Sequence, residues 1–141
     1  MGAPVAFVAN TPSNMVWVND GSGNFTDSGQ SLGDSHTFAV ALGDLDGDGD
    51  LDAFVANQAG ANKIWINDGS GSFTDSGQSL GDSDTFGVAL GDLDGDGDLD
   101  AFAANASGAN KIWVNDGSGN FTDSGQSLGD SSSRGVALGD L

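Results

Sequence analysis

The chain has 141 residues, 24 of them glycine, and its 21 acidic residues against 3 basic ones give a formal net charge of −18. That charge excludes nucleic acid as a partner, and the absence of cysteine excludes disulfides, zinc–thiolate centres and thiol nucleophiles. No apolar run approaches the length of a membrane span, so no membrane insertion is expected, while 37% hydrophobic residues suffice for a core.

In chain order, residues 3–10 (APVAFVAN) read as a strand and recur as LDAFVAN at residues 51–57. These opening residues lack the basic start and long apolar core of a signal peptide, so any secretion signal is expected upstream or already removed. The phrase NDGSG then starts at Asn19, Asn67 and Asn115, a period of 48 residues with nearly identical copies, which points to recent duplication or engineering. Four short strands are expected in each period. In the copy at the centre they are residues 37–42 (TFAVAL), 51–57, 63–67 (KIWIN), and a last strand beginning near Phe73. NDGSG is a hairpin signal between the third and fourth strands, and QAGAN is a loop between the second and third. Recurrent glycine, with β-branched and aromatic residues between, disfavours helix throughout. The chain closes on residues 135–141 (GVALGDL), a first-strand pattern that stops one residue past Asp140.

Between the first and second strands lies DLDGDGDLD, found at residues 44–52 and again at 92–100. Aspartates at its first, third, fifth and ninth positions are Asp44, Asp46, Asp48 and Asp52, then Asp92, Asp94, Asp96 and Asp100. Gly49 and Gly97 at the sixth position permit the sharp turn that wraps these hard oxygen ligands round one ion. Calcium takes six to eight oxygens. Asp50 and Asp98 at the seventh position are therefore expected to give a backbone carbonyl, with their side chains facing solvent. Asp52 or Asp100 would bind through both oxygens, and water would complete the shell. The bland alternative is a polar turn, but five carboxylates within nine residues repel one another unless a cation lies among them. Two calcium sites per chain are expected, and Asp140 would open a third loop that is not complete. Magnesium fits less well, because it prefers few carboxylates and several retained waters.

A four-stranded antiparallel unit that is apolar on both faces must bury itself against neighbours on either side, as the blades of a propeller do. At ALGDLDGDGDLDAFVAN and WINDGSGSFTDSG the chain resembles the FG-GAP or VCBS repeat of integrin-α-like β-propellers, whose blades carry a DxDGDGxxD loop between their first two strands. The resemblance covers essentially the whole chain. It implies a calcium-stabilised blade in an extracellular or cell-surface scaffold of the binding or adhesion type, with mainly structural ions. The fold class expected is all-β, with three blades' worth of strands per chain. Residues 1–36 would supply strands two to four of a split blade, residues 37–84 and 85–132 two full blades, and residues 133–141 a lone first strand. That strand would complete the split blade of another copy, so two chains would close a six-bladed homodimeric ring.

Other residues have plainer readings. Trp17, Trp65 and Trp113 recur on the third strand, as blade-to-blade packing or as stacking platforms for sugars. His36 is matched by Asp84 and Ser132, so it reads as a solvated loop histidine. Lys63 and Lys111 start a strand, where a surface charge is ordinary. Arg134 stands where the other copies have Phe38 and Phe86, either to spare an open end an exposed aromatic or as a charge tolerated near a terminus. Positions where the copies differ gather in the loops at the end opposite the aspartate loops, where a specific glycan or protein ligand would be sought. With one histidine and no cysteine, glutamate or tyrosine, no catalytic role is expected. The alternative to a calcium-stabilised scaffold is a multivalent carbohydrate-binding propeller.

Overall fold

The computed structural model describes residues 4–139. Ala3, where the first expected strand began, and Asp140 and Leu141, where the third aspartate loop was expected to open, lie outside the described residues. Among those described there are eleven strands and no helix. They form three antiparallel sheets that follow the 48-residue repeat. The first is β1 (Val5–Val8), β2 (Met15–Asn19) and β3 (Phe25–Asp27). The second runs β4 (His36–Gly43), β5 (Asp52–Gln58), β6 (Lys63–Asn67) and β7 (Phe73–Asp75) in spatial order. The third repeats it as β8 (Thr85–Gly91), β9 (Asp100–Asn105), β10 (Lys111–Asn115) and β11 (Phe121–Asp123).

Each of these elements follows from local chemistry. β5 is buried along nearly its whole length, as expected of a strand apolar on both faces, while β7 keeps only Phe73 inside. The NDGSG hairpins close with Asp68 N–H donating to the Ser72 carbonyl at 3.1 Å and Asp116 N–H to Asn120 at 3.1 Å. His36 differs from its expected place in a loop. It is the first residue of β4, exposed, with its backbone opposite Gln58. The register of β4 on β5 slips between Thr37 and Ala39, and that of β8 on β9 between Thr85 and Gly87. At these bulges Phe38 and Phe86 stack at 4.1 Å, and the Arg134 guanidinium lies 5.6 Å from the Phe86 ring centroid. Arg134 thus continues an aromatic stack as a cation, an attraction of about 0.5–1 kcal/mol at an exposed site.

Residues 134–139 form no strand, although they carry the first-strand pattern. Their physical difficulty is the lack of a partner. A first strand pairs with the second strand of its own blade, and no second strand follows among the described residues. The segment still lies against the preceding blade, since a Cβ added at Gly87 would meet Gly135 Cα at 3.0 Å and one added at Gly91 would meet the Leu138 side chain. β1 is short of a neighbour in the complementary way, paired with β2 alone.

Two apolar clusters lie between the sheets and not within them. One joins Phe7 and Val16 of the first sheet to Val55, Trp65 and Phe73 of the second. The other joins Leu45, Phe54 and Ile64 of the second to Trp113 and Phe121 of the third. Edge-to-face pairs recur in the same places, Phe7 on Phe73 at 5.3 Å and Phe54 on Phe121 at 5.7 Å. A sheet buried on both faces needs such neighbours, because the apolar area removed from water between blades is the main stabilising term.

Candidate metal centre

Each aspartate loop connects the first strand of a blade to the second, and its backbone is shaped by its own carboxylates. Asp44 accepts the N–H of Gly47 at 2.8 Å on one oxygen and that of Gly49 at 3.0 Å on the other. Asp46 accepts from Asp48 N–H at 3.2 Å, and Asp48 from Asp50 N–H at 2.9 Å. The second loop repeats the arrangement, with Asp92 holding Gly95 and Gly97, Asp94 holding Asp96, and Asp96 holding Asp98. Gly49 at φ 95° and Gly97 at φ 98° take the left-handed turn that a side chain would strain, as their sixth position requires.

This curl draws the carboxylates together. One oxygen each from Asp44, Asp46 and Asp48 lie within 4.8 Å of one another, and so do those of Asp92, Asp94 and Asp100. Among the described residues the one salt bridge is Lys111 to Asp123, 3.2 Å apart and away from both loops. Among the described residues, therefore, no protein cation offsets the repulsion within either cluster. The donors are hard carboxylate oxygens with unused lone pairs, a set suited to a divalent ion of the calcium type.

Asp52 and Asp100 occupy a different environment from the other loop aspartates. Both are fully buried. Asp52 accepts Leu45 N–H on Oδ2 and Asn67 N–H on Oδ1, each at 2.9 Å, and thereby ties the start of the loop to the end of β6. Asp100 does the same for Leu93 at 2.8 Å and Asn115 at 2.9 Å. The two-oxygen grip on an ion expected of these residues would have to share both oxygens with those N–H groups. Burial pushes the Asp52 carboxyl above its ordinary 3.8; the Asn67 and Leu45 N–H bonds oppose that shift, and the charges of Asp46 and Asp48 add to it. Desolvation likewise raises Asp94, and raises Asp98 with help from Asp96, Asp100 and Asp92.

Asp50 and Asp98 are half-buried and do not simply face solvent as expected. Their carboxylates lie over the hairpin glycines Gly69 and Gly117, where an added Cβ would collide with them. The hairpins themselves carry aspartates of opposite tendency. Hydroxyl and backbone bonds from Ser70 lower Asp68, and the Asn120 side chain lowers Asp116.

Sequence reasoning missed the asparagines that brace the loops. Asn115 donates its amide to the Leu99 carbonyl at 3.1 Å and to the Leu45 carbonyl of the preceding blade at 2.9 Å, while its oxygen accepts from Gly117 and Gly119. Asn67 holds Leu51, Gly69 and Gly71 in the same way. The signal was present, since an asparagine opens every NDGSG copy, but its partner Leu45 is 70 residues distant and no local spacing encodes it. Leu45, second in the loop, is buried in the cluster between blades at 1% exposure, so the candidate ion site and the blade junction share one segment.

At the opposite end two matching cavities lie between blades. One of about 160 Å³ is lined by Asn14, Asp34, Lys63, Trp65 and Asp75; the other, of about 210 Å³, by the residues 48 positions later. Trp65 is packed over Gly33, and Trp113 over Gly81 of the neighbouring blade, and the Trp65 Nε1 is buried without a partner.

A family model described as FG-GAP-like repeat matches the chain three times, over residues 5–55, 44–103 and 92–141. The second and third matches begin on the first aspartate of a loop. No curated protein matches the chain.

Proposed function

Because the chain belongs to the FG-GAP-like repeat family, we propose that it is a calcium-stabilised β-propeller module that serves as an extracellular binding or adhesion scaffold without catalysis. The observation that supports it most directly is the convergence of Asp44, Asp46 and Asp48, and of Asp92, Asp94 and Asp100, with no cation beside them among the described residues. A bound calcium ion would supply the positive charge that these clusters lack. Asp44 and Asp92 hold the loop backbone in the curled form through their glycine N–H bonds, and Asp52 and Asp100 fasten the loop ends to the sheet. Because the same loop carries Leu45 into the junction with the next blade, ordering it also orders the junction.

In this reading two copies of the chain complete each other. Residues 134–139 would pair with the open edge of β1 in the register that β8 uses on β9. There Val88 faces Ala103 and Leu90 faces Ala101, so Val136 would face Val8 and Leu138 would face Ala6. Calorimetric titration of the calcium-free chain tests the ion assignment, with two equivalents per chain expected. No heat of binding at millimolar calcium would overturn it.

A second reading, multivalent carbohydrate binding, is favoured by the two equivalent cavities at the blade junctions, each with a tryptophan, a lysine and aspartates in its wall. Its test is a glycan array. Binding lost in Lys63→Ala and Lys111→Ala together supports it, and an array without retained glycans overturns it.

A further inference from the structure

Three kinds of contact between neighbouring blades occur twice within the chain, displaced by one repeat. Gln30 spans the first junction, where its Nε2 donates to the Gly71 carbonyl at 2.7 Å and its Oε1 accepts Phe73 N–H at 2.8 Å. Gln78 spans the second in the same way, to Gly119 at 2.7 Å and Phe121 at 2.8 Å. The phenyl pairs and the Trp–Gly contacts repeat likewise.

The remaining member of each set, and the equivalent of Leu45 in the second aspartate loop, has no partner in a neighbouring blade within the described residues. Gln126 is exposed, and its side chain makes no hydrogen bond there. Phe25 is 48% exposed, whereas its equivalents Phe73 and Phe121 are at 7%. Leu93 is 36% exposed, whereas Leu45 is at 1%. Gly129 has no indole over it, unlike Gly33 and Gly81. These half-contacts fall into two sets. Gln126, Phe102, Leu93 and Gly129 are the donating half of a junction, carried by the last blade and the loop after it; Gly23, Phe25, Trp17 and Asn19 are the receiving half, carried by the first.

We infer that the occupant of both faces is a second copy of this chain, docked head to tail. Gln126 of one copy bridges the Gly23 carbonyl and Phe25 N–H of the next, Phe102 meets the edge of Phe25, and Asn19 reaches the Leu93 carbonyl. The inference rests on the reading that copies associate, and adds which faces meet and through which atoms. Because each copy carries both a donating and a receiving half, two copies related by a two-fold axis satisfy both junctions at once and close the ring. Leu93 lies in the second aspartate loop, so an ion held by that loop would also order the docking face.

Two single-cysteine variants, Phe25→Cys and Phe102→Cys, test the assignment in a chain that has no other thiol. A short thiol-to-thiol crosslinker is expected to give a covalent dimer when the two variants are mixed in calcium, and none with either variant alone. Gln126→Ala, exposed and harmless to the fold, is expected to weaken association about tenfold per junction, from the loss of two hydrogen bonds. Gln78→Ala, acting inside the chain, would lower thermal stability with a smaller effect on association. Wild-type chains that associate by light scattering, yet give no mixed crosslink and no change in Gln126→Ala, would overturn the head-to-tail face and leave association standing. A wild-type monomer in calcium would overturn both.

Discussion

Asp52→Ala removes the acceptor for two buried backbone N–H groups, those of Leu45 and Asn67, both bonded at 2.9 Å. A buried donor left without a partner costs about 1–3 kcal/mol, so the pair amounts to about 2–6 kcal/mol. Against this, the substitution relieves the repulsion that Asp46 and Asp48 exert on a carboxyl already raised by burial, a gain on the order of 1 kcal/mol. The loss dominates, and set against a typical domain stability of about 5–15 kcal/mol it is a large share. Urea unfolding in EDTA and in calcium separates two parts of the effect. In EDTA only the N–H clamp is lost. In calcium the variant is expected to lose more, because the loop that Asp52 fastens would no longer present the carboxylates proposed to hold the ion. Asn at this position keeps one acceptor oxygen and is expected to fall between wild type and Ala in EDTA. An Asp52→Ala chain within about 0.5 kcal/mol of wild type in EDTA would refute the clamp.

Calcium at ten times its dissociation constant is expected to add about 1.4 kcal/mol per site, seen as a rise in Tm that EDTA reverses and that Asp44→Asn with Asp92→Asn abolishes. That rise is expected to shrink with falling pH. The Asp52 pKa is raised above 3.8 in the ion-free fold, so between 3.8 and the raised value the folded chain holds an extra proton, and the ion must displace it. Without calcium the sign reverses for this group: its contribution to stability declines as pH rises through the same window. Melts from pH 3.5 to 7 with and without calcium check both slopes. Gln78→Ala breaks two hydrogen bonds across the second junction and is expected to cost about 1–3 kcal/mol in urea unfolding. Phe54→Ala empties a fully buried site against Phe121 and is expected to cost about 3–5 kcal/mol.

The strands and loops were legible in the sequence because their causes are local. Alternation in TFAVAL, the doubly apolar LDAFVAN and the glycines of NDGSG each fix conformation within a few residues, and β6 occupies the span that its residues announced. The aspartate spacing was legible for the same reason, as was the positive φ of Gly49 and Gly97. What stayed hidden depends on blade stacking. Gln30 reaches Phe73 across 43 residues, and Asn115 reaches Leu45 across 70. The burial of Leu45 inside an otherwise polar loop, and the two backbone bonds that occupy the Asp52 oxygens, follow from where the next blade and β6 lie. Residues 134–139 carry first-strand chemistry without a ladder, which shows that a strand pattern becomes a strand only beside a partner.

The proposed propeller module is stabilised by calcium and completed by a second copy. Molar mass by light scattering coupled to size exclusion, run in calcium and again in EDTA, tests it most directly. About twice the 14.0 kDa of one chain is expected in calcium, with dissociation or aggregation in EDTA. A stable monomer of one chain mass in both buffers would contradict it.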